Sequence, residues 1–213
     1  MLPYQQEFID FAIEQDVLQF GEYNLKSGRI SPYFFNSGLF NNGESLSRLG
    51  SYYAEAITTT DVQFDMVFGP AYKGIPLASS FAIALFRKLG RSVPYSFNRK
   101  EEKDHGEGGI ILGAPLSNRV LIIDDVITAG TSINKSMELI LSAGANPTAV
   151  IIALDRQERG ISELSAVQEI EQIGSIPVFS IITLETLIEY VEQTGKFQQH
   201  LETIKKYQQS YGV

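Results

Sequence analysis

The chain has 213 residues, with 17 Lys and Arg against 25 Asp and Glu, a net charge of -8, 44% hydrophobic residues, and neither Cys nor Trp. The lack of cysteine excludes a disulfide scaffold, a thiolate metal site, a redox dithiol and a cysteine nucleophile, and the ordinary hydrophobic share excludes a disordered or low-complexity chain. The acidic balance disfavours nucleic acid and anionic membranes as partners while leaving room for a local basic site that takes a phosphorylated small molecule.

The opening Met1-Leu2-Pro3-Tyr4 lacks a basic leader pattern, and apolar runs such as Ala149 to Leu154 are too short to span a bilayer, so a cytoplasmic protein is expected. No repeat, linker or block of like charge marks a boundary, so one domain is expected over residues 1–213. Within it, residues 1 to about 60 form an N-terminal hood, and about 61–213 form an α/β core.

In chain order, residues 4–15 place Phe8, Phe11 and Ala12 on one helical face after Pro3. Glu22 to Leu25 and Ser31 to Phe35 flank Lys26-Ser27-Gly28-Arg29 as a hairpin. From about residue 62, short apolar strands alternate with helices. Met66 to Phe68, Val93 to Phe97, Val120 to Ile123, Ala149 to Leu154 and Val178 to Ile182 read as strands. Ile75 to Leu89 and Ile133 to Ala143 read as helices between them. Such alternation predicts a mostly parallel sheet flanked by helices, with ligand sites beyond the carboxyl ends of the strands. Leu184, Leu187, Ile188 and Val191, then Leu201 to Tyr207, read as closing helices. His200 has no motif around it and is expected at the surface.

The most informative segment is the strand Val120-Leu121-Ile122-Ile123, which runs into Asp124-Asp125-Val126-Ile127-Thr128-Ala129-Gly130-Thr131-Ser132. A helix follows, with Ile133, Met137, Ile140 and Leu141 on its apolar face. The loop offers backbone N–H groups and three hydroxyls at a helix N-terminus, a fit for a phosphomonoester, and the adjacent carboxylates can accept hydrogen bonds from the vicinal hydroxyls of a ribose. Gly130 allows close approach, so a valine there is expected to block the phosphate with little change in melting temperature. The string has neither a dinucleotide-binding nor a P-loop glycine pattern.

Three further segments sit where strands should end. Gly69-Pro70-Ala71-Tyr72-Lys73-Gly74 combines backbone freedom with one cation. Asn98 to Gly109 contains Arg99, Lys100, Lys103 and His105 with almost nothing to bury, so it is expected to be mobile when empty. Asp155-Arg156-Gln157-Glu158 offers a guanidinium fork suited to a carboxylate.

The acidic pair with its Thr-Ala-Gly-Thr-Ser loop resembles the 5-phosphoribosyl-1-pyrophosphate (PRPP) signature of type I phosphoribosyltransferases. Over essentially the full length, the chain resembles the bacterial orotate phosphoribosyltransferases. That resemblance implies the type I phosphoribosyltransferase fold and transfer of the phosphoribosyl group from PRPP to orotate. The products would be orotidine 5'-monophosphate and pyrophosphate, a step in pyrimidine synthesis. It further implies PRPP contacts from Lys26, Tyr72, Lys73, Arg99, Lys100, Lys103, His105 and the run Asp124, Asp125, Val126, Ile127, Thr128, Ala129, Gly130, Thr131 and Ser132. Orotate contacts would come from Lys26, Phe34, Phe35, Thr128 and Arg156, and the catalytic set would be Lys103, His105, Lys73, Asp124 and Asp125. Magnesium would arrive with PRPP, held through its oxygens and water with no direct protein ligand. A non-proline cis peptide would lie at Ala71-Tyr72, and the working unit would be a homodimer with shared sites. A transferase for another base and a non-catalytic PRPP sensor are the rivals. The orotate-like hairpin with Arg156 argues against the first; an intact catalytic loop and no basic DNA-binding segment argue against the second.

Overall fold

The computed structural model describes residues 1–103, 109–160 and 162–213, with backbone alone for Glu102 and Lys103. Helix α1 (Pro3–Glu14) leads into strands β1 (Leu18–Asn24) and β2 (Ile30–Phe35), a short 3-10 turn (Ser37–Leu39) and helix α2 (Gly43–Thr58). The core then runs β3 (Met66–Gly69), α3 (Gly74–Leu89), β4 (Tyr95–Lys103), β5 (Gly109–Gly113) and β6 (Arg119–Ile123). It continues through α4 (Thr131–Ser142), β7 (Asn146–Asp155), α5 (Ala166–Gly174) and β8 (Val178–Thr183), and closes with α6 (Leu184–Thr194) and α7 (Gln198–Tyr211).

Strands β1 and β2 pair antiparallel as the hood hairpin, while the six-stranded sheet has the order β5-β4-β3-β6-β7-β8. All neighbours in that sheet are parallel except β4 and β5. Successive strand residues point to opposite faces, so the uninterrupted apolar runs divide between two cores. Val67, Leu121, Ile123, Ala149 and Ile151 join a large core that includes Phe8, Phe11, Tyr33 and Tyr53 of the hood and Leu187, Tyr190 and Ile204 of the closing helices. Met66, Phe68, Val120, Ile122, Val150 and Ile152 join a smaller one with Ile133, Met137 and Ile140 of α4 and Ile170 of α5. The mostly parallel, helix-flanked sheet expected from the sequence is therefore present, with its hood packed into the larger core.

Three local expectations are corrected. Asn98 to Lys103 is strand rather than loop, with Asn98 opposite Ile111 and Lys103 opposite Gly109. Beyond Phe97, among the described residues, only β5 pairs with this run, antiparallel and with an irregular register between Asn98 and Lys103, and such pairing needs no apolar side chain, which is why composition misread it. Leu141 is 58% exposed rather than part of the buried face of α4. His200 is half-buried, its ring stacked at 6.0 Å on Phe20.

Candidate active site

Strand order reverses between β3 and β6, since the chain leaves β3 for β4 on one side and returns through β6 on the other. A crevice opens at such a switch point beyond the carboxyl ends of the strands, and the two loops that follow β3 and β6 border it.

After β3, the backbone turns so tightly that a Cβ on Gly69 would lie 2.0 Å from the carbonyl oxygen of Gly74. The Gly74 N–H donates to Pro70 O at 2.9 Å, and the Ala71 N–H donates to Asn98 Oδ1 at 3.0 Å. The Ala71-Tyr72 peptide is cis, as the resemblance implied. This turn exposes Tyr72 and sends Lys73 across the crevice, where Nζ meets Asp125 Oδ2 at 2.5 Å. Lys100 Nζ lies 4.6 Å from the Tyr72 ring centroid, so a second cation from β4 joins the same rim.

After β6, Asp124 and Asp125 are both buried. Asp124 Oδ1 accepts the Asp125 N–H at 2.9 Å, and the Asp124 carbonyl accepts the Tyr53 hydroxyl at 2.8 Å. Burial, and then the charge of Asp125, push the Asp124 carboxyl up to about 7. An unfolded aspartate titrates near ~3.9. The stability linked to this group is therefore present below about pH 4 and lost as pH rises through about 7. Asp124→Asn, whose amide oxygen can still accept the Asp125 N–H, is expected to raise the melting temperature of the ligand-free protein at about pH 8 and leave it unchanged near pH 4. Scanning calorimetry at both values checks this.

Residues Val126 to Ser132 wrap the start of α4 and, with Asp124, line a cavity of about 260 Å³. Thr128 and Ala129 are exposed, as are Thr131 and Ser132 in the first turn, so the loop presents free surface at the positive end of the helix. Gly130, the N-cap, has φ +68° and a would-be Cβ only 3.1 Å from Ile170 Cδ1. The expectation that valine there leaves stability intact is corrected: a side chain is strained in this left-handed backbone and Ile170 of α5 must give way, so stability is expected to fall as well as ligand binding. A larger cleft of about 690 Å³, lined by Met137, Pro147 and Ile176, lies by the amino ends of β7 and β8, away from these loops.

The segment after β7 supplies a third wall. Arg156 Nη2 donates to Ser31 Oγ at 2.9 Å and pairs with Glu158 Oε1 at 2.6 Å, with its guanidinium 4.3 Å from the centre of the Tyr33 ring. The hood thus meets the core through Arg156. Of the two adjacent aromatics, Phe34 is exposed and stacked on Tyr23 at 5.3 Å, whereas Phe35 packs against the large core. Lys26 is exposed at the hairpin turn, Arg99 is half-buried in β4, and Lys103 ends that strand. His105 lies outside the described residues.

Sequence reasoning missed Ser37, whose hydroxyl donates to Asp125 Oδ2 from the turn after β2. It also missed Tyr53, Ser31 and Glu158. Tyr53 carried a usable signal: a tyrosine on the buried stripe of an amphipathic helix needs a partner for its hydroxyl. Ser37 carried none, because one serine in Asn36-Ser37-Gly38 reads as turn chemistry.

The phosphoribosyl transferase domain model matches residues 37–179, which takes in the β3 and β6 loops and the Arg156 segment. An orotate phosphoribosyltransferase of Thioalkalivibrio sulfidiphilus is 57% identical over 100% of both chains, and that of Pseudomonas aeruginosa is 56% identical over the same span. A crystal structure of the Francisella tularensis orotate phosphoribosyltransferase superposes with a TM-score of 0.89 at 44% identity, covering 97% of this chain and 100% of that one. With these full-length similarities added to a crevice of the expected form, the chain belongs to the phosphoribosyl transferase domain family and, within it, to the orotate phosphoribosyltransferases.

Proposed function

We propose that the chain, acting as one domain, transfers the 5-phosphoribosyl group of PRPP to orotate, giving orotidine 5'-monophosphate and pyrophosphate. The observation that carries this reading is the buried acidic pair set directly before a helix-start cavity of about 260 Å³. The 5'-phosphate rests on Thr128 to Ser132, where unpaired N–H groups and the helix dipole favour an anion. Asp124 and Asp125 accept the ribose hydroxyls. Phe34, Phe35, Lys26 and Thr128 border the pyrimidine, and Arg156 takes its carboxylate through a guanidinium edge.

As the bond from C1 to the pyrophosphate oxygen breaks and the ring nitrogen of orotate bonds to C1, positive charge builds on the ribose and negative charge on the leaving group. Cations placed about that group stabilise the transition state more than the ground state. Lys103 is the main electrostatic catalyst, assisted by Lys73, Lys26, Arg99 and Lys100, and His105 donates a proton or a hydrogen bond to pyrophosphate. The Lys73–Asp125 ion pair neutralises both partners in the ligand-free protein, and PRPP separates them, with pyrophosphate taking the lysine and ribose the carboxylate.

Among the described residues, no group of three or more His, Cys, Asp or Glu side chains is placed to cage a metal. A magnesium ion would take its oxygen ligands from PRPP and water, and the two carboxylates at the crevice would meet it only through that water. When bound, that ion screens the pyrophosphate charge.

The working unit is a homodimer. Helix α3 supports this, because Ile83, Phe86 and Leu89 are 54%, 60% and 52% exposed along one stripe. No helix among the described residues is long and apolar enough to cross a membrane, and the proposed location is the cytoplasm.

The test is a spectroscopic assay of orotate consumption with PRPP and magnesium, run beside the same pyrimidine ring lacking its carboxylate. Turnover of orotate is expected and turnover of the bare ring is not. A chain that uses both equally, or neither, overturns the reading.

A further inference from the structure

The segment after β7 contains a carboxylate that the mechanism above leaves without a task. Glu158 Oε1 pairs with Arg156 Nη2 at 2.6 Å and accepts from the Tyr33 hydroxyl at 3.5 Å, while Oε2 faces Arg29 Nη1 at 3.6 Å. The side chains of Arg29, Arg156 and Glu158 are only 22%, 16% and 11% exposed. Two guanidinium groups therefore share one carboxylate in a mostly dry seam between hood and core. The neighbouring Asp155 stands close enough to act on Tyr33 and Glu158 by its charge, but its Oδ1 accepts the Gln157 N–H at 2.9 Å, which leaves Glu158 as the carboxylate that contacts the two arginines.

The arrangement is built around one nitrogen. Ser31 Oγ spends its proton on the Tyr33 carbonyl at 2.7 Å, so it meets Arg156 Nη2 as an acceptor. Glu158 is the other acceptor at Nη2, and the Tyr33 ring covers one face of the guanidinium. With Nη2 occupied twice, rotation of the planar head is suppressed, and the donors for a ligand come from Nη1 and Nε; the Tyr207 hydroxyl also borders this Arg156–Glu158 pair. Glu158 itself stands on fixed backbone, since the Val213 N–H donates to Gln157 O at 3.1 Å and the Arg159 N–H donates to Tyr211 O at 2.8 Å.

We propose that Glu158 is a positioning residue for base recognition: it locks the Arg156 guanidinium through Nη2 and, bound to Arg29 through its other oxygen, holds that guanidinium where the carboxylate of the base is met. This rests on the reading of Arg156 as the carboxylate contact. Glu158 acts through Arg156 without touching the base, so its effect belongs to orotate alone.

The experiment is a double-mutant cycle on the full chain with Glu158→Gln, Arg156→Gln and the pair, scored by orotate KM, PRPP KM and kcat. Glu158→Gln is expected to raise orotate KM about tenfold with PRPP KM within about twofold, and to add less than about twofold once Arg156 is already glutamine. Glu158→Asp, which keeps the charge but withdraws it by one methylene, is expected to fall between wild type and Glu158→Gln. An unchanged orotate KM in Glu158→Gln overturns the proposal. So does a parallel rise in both KM values, which marks general loosening, or a full tenfold effect in the Arg156→Gln background. If Arg156→Gln alone leaves orotate KM unaltered, the carboxylate reading of Arg156 falls, and the Glu158 proposal falls with it.

Discussion

Co-refolding an equal mixture of Lys103→Ala and Arg156→Ala chains will return about a quarter of wild-type orotate turnover, although each homodimer alone is nearly inactive. The last pairing of β4 with β3 sets Phe97 opposite Gly69, and β4 then continues to Lys103. Six residues of extended chain reach roughly 20 Å, so the hairpin carries Lys103 well past the loops of its own sheet. Arg156 follows β7, which is separated from β4 by β3 and β6. If the hairpin serves the partner's site, a mixed dimer has one site carrying both defects and one carrying neither. Random pairing makes half the dimers mixed, so about one site in four is intact. If Lys103 serves its own chain, every site keeps one defect. No recovery, with mixed dimers verified by sedimentation of tagged chains, removes the shared-site arrangement and leaves the crevice chemistry standing.

Gly69→Ala will lower stability by about 3 kcal/mol, the upper range for overpacking, and the melting temperature by roughly 6–12 °C. The added methyl meets the Gly74 carbonyl oxygen at 2.0 Å, the Gly74 carbonyl carbon at 2.5 Å and Ala78 Cβ at 3.0 Å. The first two are backbone and cannot rotate aside, so the start of α3 must move, and Lys73 with it. PRPP affinity should therefore fall in whatever fraction stays folded. Gly43→Ala is the control: a Cβ there meets nothing within 4 Å, at the first position of α2, and its melting temperature should hold. Equal melts for the two variants would show that the β3 turn absorbs a side chain.

Much of this architecture was legible because buried parallel strands are written as apolar runs. Val120 to Ile123 and Ala149 to Leu154 allow no other arrangement when helices alternate with them. The loops that border the crevice were legible for a related reason: polar and glycine-rich residues stand where a strand should end. Legibility failed where backbone pairing does the work that side chains usually signal. The charged run Asn98 to Lys103 looks like loop and is strand, since β5 pairs with its two ends. It failed again where a role depends on distant chain. Ser37 lies 88 residues from Asp125, and Ser31 lies 125 from Arg156, separations that no local pattern encodes. Glu158 stands two residues from Arg156, but a Glu at that spacing in a charged loop has no pattern that distinguishes a partner of the guanidinium from a solvated side chain.

The large core that joins the hood to the closing helices also sets an order of events during synthesis. Gln5 Nε2 donates to the Ile181 carbonyl across 176 residues, and the Tyr190 hydroxyl donates to Asp10 across 180. Phe8 and Phe11 share their core with Leu187 and Tyr190. At about 5–20 residues per second, the first helix waits roughly 10–40 s before β8 and α6, which cover one side of it, have been made. Phe8 and Phe11 can meet the Phe40 and Tyr52 rings early, so what stays open throughout that interval is the side of the helix that carries Gln5 and Asp10. The central strands from β3 to β7 can pair meanwhile, so the hood is completed last, after the loops that follow β3 and β6.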